Sequence, residues 1–109
     1  MAELLTRGDV WMYEFRGPDK LRPVVVLSRD EAIAVLHTVM VAPVTSTIRG
    51  IPSEVVVGAD DGLKHSSAVN LDHIQTVEKS RLRRHLGRLR AEPLRRLCSA
   101  LAVALGCDA

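Results

Sequence analysis

The sequence predicts a mainly β chain, a small barrel of short strands closed by one C-terminal helix. Six or seven short apolar stretches, each of alternating or β-branched residues, are set apart by turn signals at intervals of roughly 8–15 residues. The last stretch changes to the period of a helix, and no clear helix lies between any two strands, which argues against a parallel α/β sheet. With 109 residues, no internal repeat and no long linker, residues 1–109 form a single domain.

In order along the chain, Asp9–Phe15 alternates, with Trp11, Tyr13 and Phe15 on one side and Val10, Met12 and Glu14 on the other, the pattern of a strand. Arg16–Leu21 is a loop punctuated by Gly17-Pro18. Pro23–Ser28 is a β-branched run buried on both faces, its proline fitting a first strand position, and the polar Arg29-Asp-Glu-Ala-Ile segment is a connection. Thr38–Val44 is a third strand, with Pro43 marking an edge or bulge near its end, and Thr45–Pro52 is a hydroxyl-rich loop. Glu54–Val57, Ser67–Leu71 and Ile74–Val77 are further strands, and His85–Leu89 adds one more. Finally Leu94, Leu97, Cys98, Leu101 and Leu105 form one helical stripe, with Pro93 in the first turn, Gly106 as the terminator and no good N-cap residue.

Composition narrows the class. Apolar residues make up 47% and charged ones 26%, ordinary for a globular protein rather than a disordered one. The longest apolar runs, Ala32–Leu36 and Ala100–Leu105, fall far short of the ~20 residues that cross a bilayer, and the first residues lack a signal-peptide core. A cytoplasmic protein without a membrane partner is the expectation. On one helix, Cys98 and Cys107 stand about 13 Å apart, too far to bridge, and read as a buried thiol and a tail thiol. His37, His65, His73 and His85 are scattered, no set has zinc spacing, and neither metal nor cofactor is expected.

Charge is unevenly divided. Residues 1–78 carry a net −4 and residues 79–109 a net +6, with every late cation inside Lys79–Arg96. Seven of those eight cations are arginines, suited to phosphate or carboxylate, so the cluster is either a solvated face or a surface for a polyanion or acidic partner.

No Walker-type loop, no G-x-S-x-G and no ligand cluster occurs. What remains is polar residues at strand ends: Arg22 at the start of the second strand, Thr45 and Ser46 after the third, and Asp72-His73 after the fifth. An arginine beside hydroxyls from a neighbouring strand suits a phosphodiester and the charge that builds on it; a salt-bridged Arg22 and hydroxyls serving only a turn are the plain alternative.

Four blocks in order resemble the MazF/PemK family of toxin endoribonucleases: R-G-D-V-W (Arg7–Trp11) with L-R-P-V-V-V-L-S (Leu21–Ser28), V-A-P-V-T-S (Val41–Ser46), P-S-E-V-V-V (Pro52–Val57), and S-A-V-N-L-D-H-I-Q-T-V-E-K-S-R-L (Ser67–Leu82). The resemblance implies an SH3-like barrel of the CcdB/MazF type. It also implies a homodimer, and metal-independent cleavage of single-stranded RNA at short sequences as the toxin of a toxin–antitoxin pair, arresting growth by blocking translation. A cognate antitoxin with an extended acidic tail restrains such toxins. The family's catalytic arginine falls on Arg22 and its catalytic threonine on Thr45; Ser46, Asp72, His73, Gln75 and, by base stacking, Trp11 are the expected substrate-binding residues. The Trp11, Tyr13 and Phe15 row also fits a core or a dimer seam.

The implied chemistry is attack by the substrate's own 2′-OH, giving a 2′,3′-cyclic phosphate and a 5′-OH end. It needs no protein nucleophile and spares DNA. An arginine is a poor proton acceptor at neutral pH, so Arg22 is assigned to charge stabilisation and Thr45 to hydrogen bonding. His37 and His73 are the candidate general bases. Two departures bear on cut preference: Asp72-His73-Ile74-Gln75-Thr76 stands where the family often has D-Q-I-R-T, and the Arg16–Leu21 loop is short. The runners-up are a CcdB-like, non-enzymatic inhibitor of DNA gyrase, disfavoured by a chain end without an anchor such as Trp, and a catalytically inert RNA-binding barrel.

Overall fold

The computed structural model describes residues 5–17 and 21–107. The expectations for the first loop and for the two chain ends fall partly on residues 18–20, 1–4 and 108–109, outside those described. Among the described residues, seven strands and two α-helices run in the order β1 (Asp9–Glu14), β2 (Leu21–Val26), α1 (Asp30–Val35), β3 (Thr38–Thr45), β4 (Glu54–Val57), β5 (Ser67–Asn70), β6 (Gln75–Glu78), β7 (Leu82–Arg88) and α2 (Ala91–Leu105). All pairings are antiparallel, in the order β4-β5-β3-β2-β1-β7, with β6 also on β3.

Two apolar clusters form on opposite faces of the central strands, because side chains alternate along a strand. Val10, Val25, Ala42 and Val44 face the cluster covered by α2, while Trp11, Tyr13, Val24, Val26, Val39 and Val41 face the one that includes Ile33 of α1. The β2 run is therefore buried on both faces, as its composition predicts. Pro23 stands third in β2 rather than first, just before pairing with β3 begins at Val24↔Pro43. From that terminal pair the ladder runs inward to Val26↔Val41, consistent with the prolines' missing N–H groups at its outer end.

Helix α1 departs from the expectation of a plain connection. Its six residues are too few for a helical period to show, and no side chain caps its N-terminus. Tertiary contacts hold it instead. Ala32 and Ile33 are buried, the Asp30 carboxylate accepts the Arg7 N–H at 2.9 Å, and the Lys79 ammonium donates to the Ile33 and Leu36 carbonyls at its C-terminal end.

The terminal helix is as the stripe predicts, but rotated. Pro93, Leu97 and Ala100 are buried and Leu94, Leu101 and Ala104 pack beside them, whereas Leu105 and Cys98 are exposed. Cys98 is thus a free surface thiol that accepts a hydrogen bond from Arg7 Nη2, not a buried one. Gly106 (φ 73°) ends the helix in the left-handed conformation.

The two ends of the strand path meet without a ladder. The turn after β4 presses on β7 so closely that a Cβ on Gly62 (φ 97°) would lie 2.6 Å from the Leu86 carbonyl oxygen, and one on Gly87 2.9 Å from that of Asp61. Gly62→Ala is expected to cost at least roughly 1–2 kcal/mol from the left-handed backbone alone, about 5–10 °C in Tm. Thermal denaturation checks this, and an unchanged Tm would mean that the seam yields freely.

Candidate active site

The face that buries valine in the middle of the sheet turns polar where the strands leave the core. Every second residue along β2 reads Val26, Val24, Arg22; along β3, Val41, Pro43, Thr45; and along β6, Val77, Gln75. Extending the Val24↔Pro43 register by two residues sets Arg22 across from Thr45. On β1 the Tyr13↔Arg22 pair places an aromatic ring beside the same strand end, with Phe15 edge-on to Tyr13 at 4.7 Å.

Arg22 and Thr45 form a wall between two clefts. The first, about 560 Å³, is lined by Phe15, Arg16, Arg49, Asn70, His73 and Gln75 in addition to the wall itself. The second, about 480 Å³, takes in Ser46, Lys64, His65, Ser67 and Arg84. Among the described residues each cleft carries three cationic side chains and neither is lined by a carboxylate, the electrostatics of an anion site.

The two wall residues are chemically available. Arg22 makes no ion pair or hydrogen bond with a described residue, so among these the salt-bridge alternative finds no partner. Thr45 Oγ1 accepts the Thr47 N–H at 3.1 Å, which fixes the hydroxyl and leaves its own hydrogen to donate. The loop that follows is tied down by the buried Glu54, whose Oε1 accepts the N–H groups of Arg49 (3.0 Å) and Gly50 (3.2 Å).

The turn after β5 orients a histidine. Asn70 Oδ1 accepts the Asp72 N–H at 2.9 Å, so its amide nitrogen faces His73 Nδ1, also at 2.9 Å. An amide nitrogen only donates, hence Nδ1 accepts and the ring proton sits on Nε2. Leu71, 2% exposed, anchors this turn in the cluster beneath α2.

The expected site residues divide accordingly. Arg22, Thr45, Ser46, His73 and Gln75 line the clefts. Asp72 lines neither; its carboxylate accepts the Ser53 hydroxyl at 2.6 Å, a structural bond between the β4 and β5 ends. Trp11 lines neither as well: it is 8% exposed, packs in the cluster under α1 and meets the His85 ring at 5.3 Å, so of the aromatic row Phe15 is the one on a cleft. His37, an expected base, lies exposed beside the first residue of β3, the opposite end of the strand from Thr45.

Sequence patterning does not single out Arg16, Arg49, Asn70, Lys64 or His65 as site residues. Asn70 lies inside a quoted block; the rest come from connections, where no local pattern marks a side chain's destination. The basic cluster also resolves into separate tasks. Lys79 binds α1 carbonyls, Arg81 the Glu14 carbonyl, Arg83 the Glu14 carboxylate, Arg88 Asp9, Arg90 Asp61 and Arg96 Glu92. Of the cluster, Arg84 lines a cleft.

Comparison with known proteins points to one family. Residues 6–105 match the profile of the family described as PemK-like, MazF-like toxin of type II toxin–antitoxin system. The chain is 47% identical over 109 residues to the probable endoribonuclease MazF5 of Mycobacterium tuberculosis (strain ATCC 25618 / H37Rv), spanning 99% of each protein. Among solved structures, the Mycobacterium tuberculosis toxin MazF-mt6 superposes with a TM-score of 0.84 at 36% identity, over 93% of this chain and 99% of that one. An endoribonuclease in complex with its cognate antitoxin, from a mycobacterial species, superposes with a TM-score of 0.86 at 28% identity, over 96% and 98%.

Proposed function

The chain belongs to the PemK-like, MazF-like toxins of type II toxin–antitoxin systems and is an endoribonuclease of that family, and from this premise we propose that it cuts single-stranded RNA at short preferred sequences by using the ribose 2′-OH as nucleophile. The observation that carries the mechanism is the pair of unencumbered side chains, Arg22 and Thr45, standing on adjoining strand ends between two cationic clefts.

The scissile phosphate sits on that wall, with the flanking nucleotides extending into both clefts. Arg22 binds the non-bridging oxygens in a planar fork and stabilises the charge added as phosphorus becomes five-coordinate. The Thr45 hydroxyl donates to the same oxygens. Phe15 offers a face for stacking, and Gln75 and the His73 Nε2–H offer donors for reading bases. Asp72 and Trp11 serve this site from behind, holding the turn and the sheet.

The cognate antitoxin is the expected partner, its acidic tail suited to clefts that, among the described residues, are lined by cations and no carboxylate. The working form is a homodimer in the cytoplasm, where RNA and the translation machinery are found, and no metal or cofactor takes part. Among the described residues no helix is long and apolar enough to cross a membrane.

The test is a defined RNA incubated with the protein in EDTA, followed by analysis of product ends. Undiminished cleavage with 2′,3′-cyclic phosphate and 5′-OH ends is expected, as is complete resistance when the nucleotide on the 5′ side of the cut is a deoxynucleotide. Ends bearing a 5′-phosphate, or cleavage of the deoxy-substituted strand, would overturn the mechanism.

A further inference from the structure

We propose that His65 is the general base that takes the proton from the attacking 2′-OH. The inference rests on the transesterification reading above and supplies the group which that reading lacks. Arg22 is a poor proton acceptor, and Thr45 already uses its oxygen as an acceptor for a backbone N–H.

Comparing the four histidines isolates the one suited to the task. His37 stands at the wrong end of β3. His85 packs on the Trp11 ring, 3.7 Å from Asp9, away from both clefts. His73 lines the first cleft, but Asn70 occupies its Nδ1 and its proton is on Nε2, so neither ring nitrogen is open to accept another proton. His65 lines the second cleft together with Arg22, Thr45 and Ser46. Its own backbone carbonyl is held by the Ser67 hydroxyl at 3.0 Å, while its ring makes no hydrogen bond to a described residue. The backbone is thus held while the imidazole is solvent-accessible and unoccupied, as a base must be before substrate arrives.

His65 accepts the proton on one side of the wall; on the other the His73 Nε2–H serves only as a hydrogen-bond donor to the RNA and takes no part in the proton transfer. As the 2′-oxygen–phosphorus bond forms, the 2′-OH proton passes to a His65 ring nitrogen; the bond from phosphorus to the 5′-oxygen breaks, and that oxygen leaves with a proton from water in the open cleft. His65 then releases its proton to solvent, so the RNA exchanges one phosphodiester bond for another with no net consumption of water. The charged groups facing this cleft are Lys64, Arg22 and Arg84. The acidic residues of the preceding turn, Asp60 and Asp61, do not line it.

A single-site RNA, cleaved under single-turnover conditions across a range of pH, tests the assignment. His65→Ala is expected to slow cleavage by about 10²-fold or more, to remove the acidic limb of the parent's pH–rate profile, and to regain activity when imidazole is added, in proportion to its free-base form. His37→Ala is expected to match the parent. An exposed His65 makes misfolding of the variant an unneeded explanation, and an unchanged Tm checks that point.

A His65→Ala protein that cuts within a few-fold of the parent, or one whose pH profile keeps its acidic limb, overturns the base assignment. Product ends separate that failure from a deeper one. Cyclic phosphate ends from the parent, together with an inactive Arg22→Ala, leave the transesterification reading standing without His65; 5′-phosphate ends remove both.

Discussion

Arg22→Ala loses roughly 10²–10³-fold in kcat/KM on a defined RNA, the usual effect of deleting one preorganised donor to a transition-state oxyanion. Stability scarcely moves, because the side chain is exposed and binds no described residue, and such surface substitutions usually fall within about 0.5 kcal/mol. That separation of activity from Tm is the informative part. A variant that melts like the parent yet does not cut shows that the guanidinium acts on the substrate.

Two companion substitutions refine the role. Arg22→Lys keeps the charge but not the planar two-donor geometry and recovers only part of the rate. Thr45→Ala weakens cleavage, whereas Thr45→Ser retains most of it, since either hydroxyl can accept the Thr47 N–H and donate its hydrogen. Cleavage by Arg22→Ala at the parent's rate would remove the proposed mechanism.

The second large effect is on stability and comes from the seam that backs the second cleft. Asp61 is fully buried at the seam where the turn after β4 meets β7. Its Oδ1 accepts the Arg90 backbone N–H at 2.8 Å and Nε at 3.1 Å, while Oδ2 accepts the Gly58 N–H at 3.0 Å and Arg90 Nη2 at 3.2 Å. Burial works to raise this carboxyl's pKa, but the hydrogen bonds from the Arg90 side chain and backbone and from Gly58 outweigh it and hold it below the ordinary carboxylate value. Asp61→Ala leaves the Gly58 and Arg90 backbone donors without that partner, at roughly 1–3 kcal/mol for each buried donor left unpaired. A fall in Tm of about 10 °C or more follows.

The pH dependence has a definite sign. A carboxyl with a depressed native pKa adds stability above its unfolded value, and that contribution disappears as pH falls through the native one. The gap between the parent and Asp61→Asn is therefore widest near neutrality and narrows once pH drops below the ordinary carboxylate range. Urea denaturation at several pH values measures it; a gap that stays constant or grows on acidification contradicts the ion-pair account.

Much of this was legible in the sequence, for identifiable reasons. Strands declare themselves through alternation or β-branching over a few residues, which is why β4 appears where Glu54–Val57 predicts it. The short helix α1 has no such signature, because Ile33 and the Lys79 ammonium from 46 residues away stabilise it. Helix α2 was legible in period but not in phase: the buried side takes in Ala100 and Ala104 rather than Cys98 and Leu105, a choice made by the sheet it covers.

The candidate site divides along the same line. Arg22 and Thr45 were visible as polar residues ending apolar strands, and the register explains their meeting. Trp11 was misassigned because a strand face rich in aromatics looks the same whether it faces RNA or Ile33 and Val39. His65 carries no local mark at all; only the closing of the sheet brings its loop to the cleft that Arg22 and Thr45 share.

The wall between the clefts comes from two paired strands, whereas much of its surroundings comes from separate connections, among them 46–53, 58–66 and 71–74. On the proposed mechanism, chemistry and sequence reading are thereby carried by parts that can change independently. Redrawing those connections while leaving the β2 and β3 ends intact would then give the scissor a new vocabulary without blunting the blade.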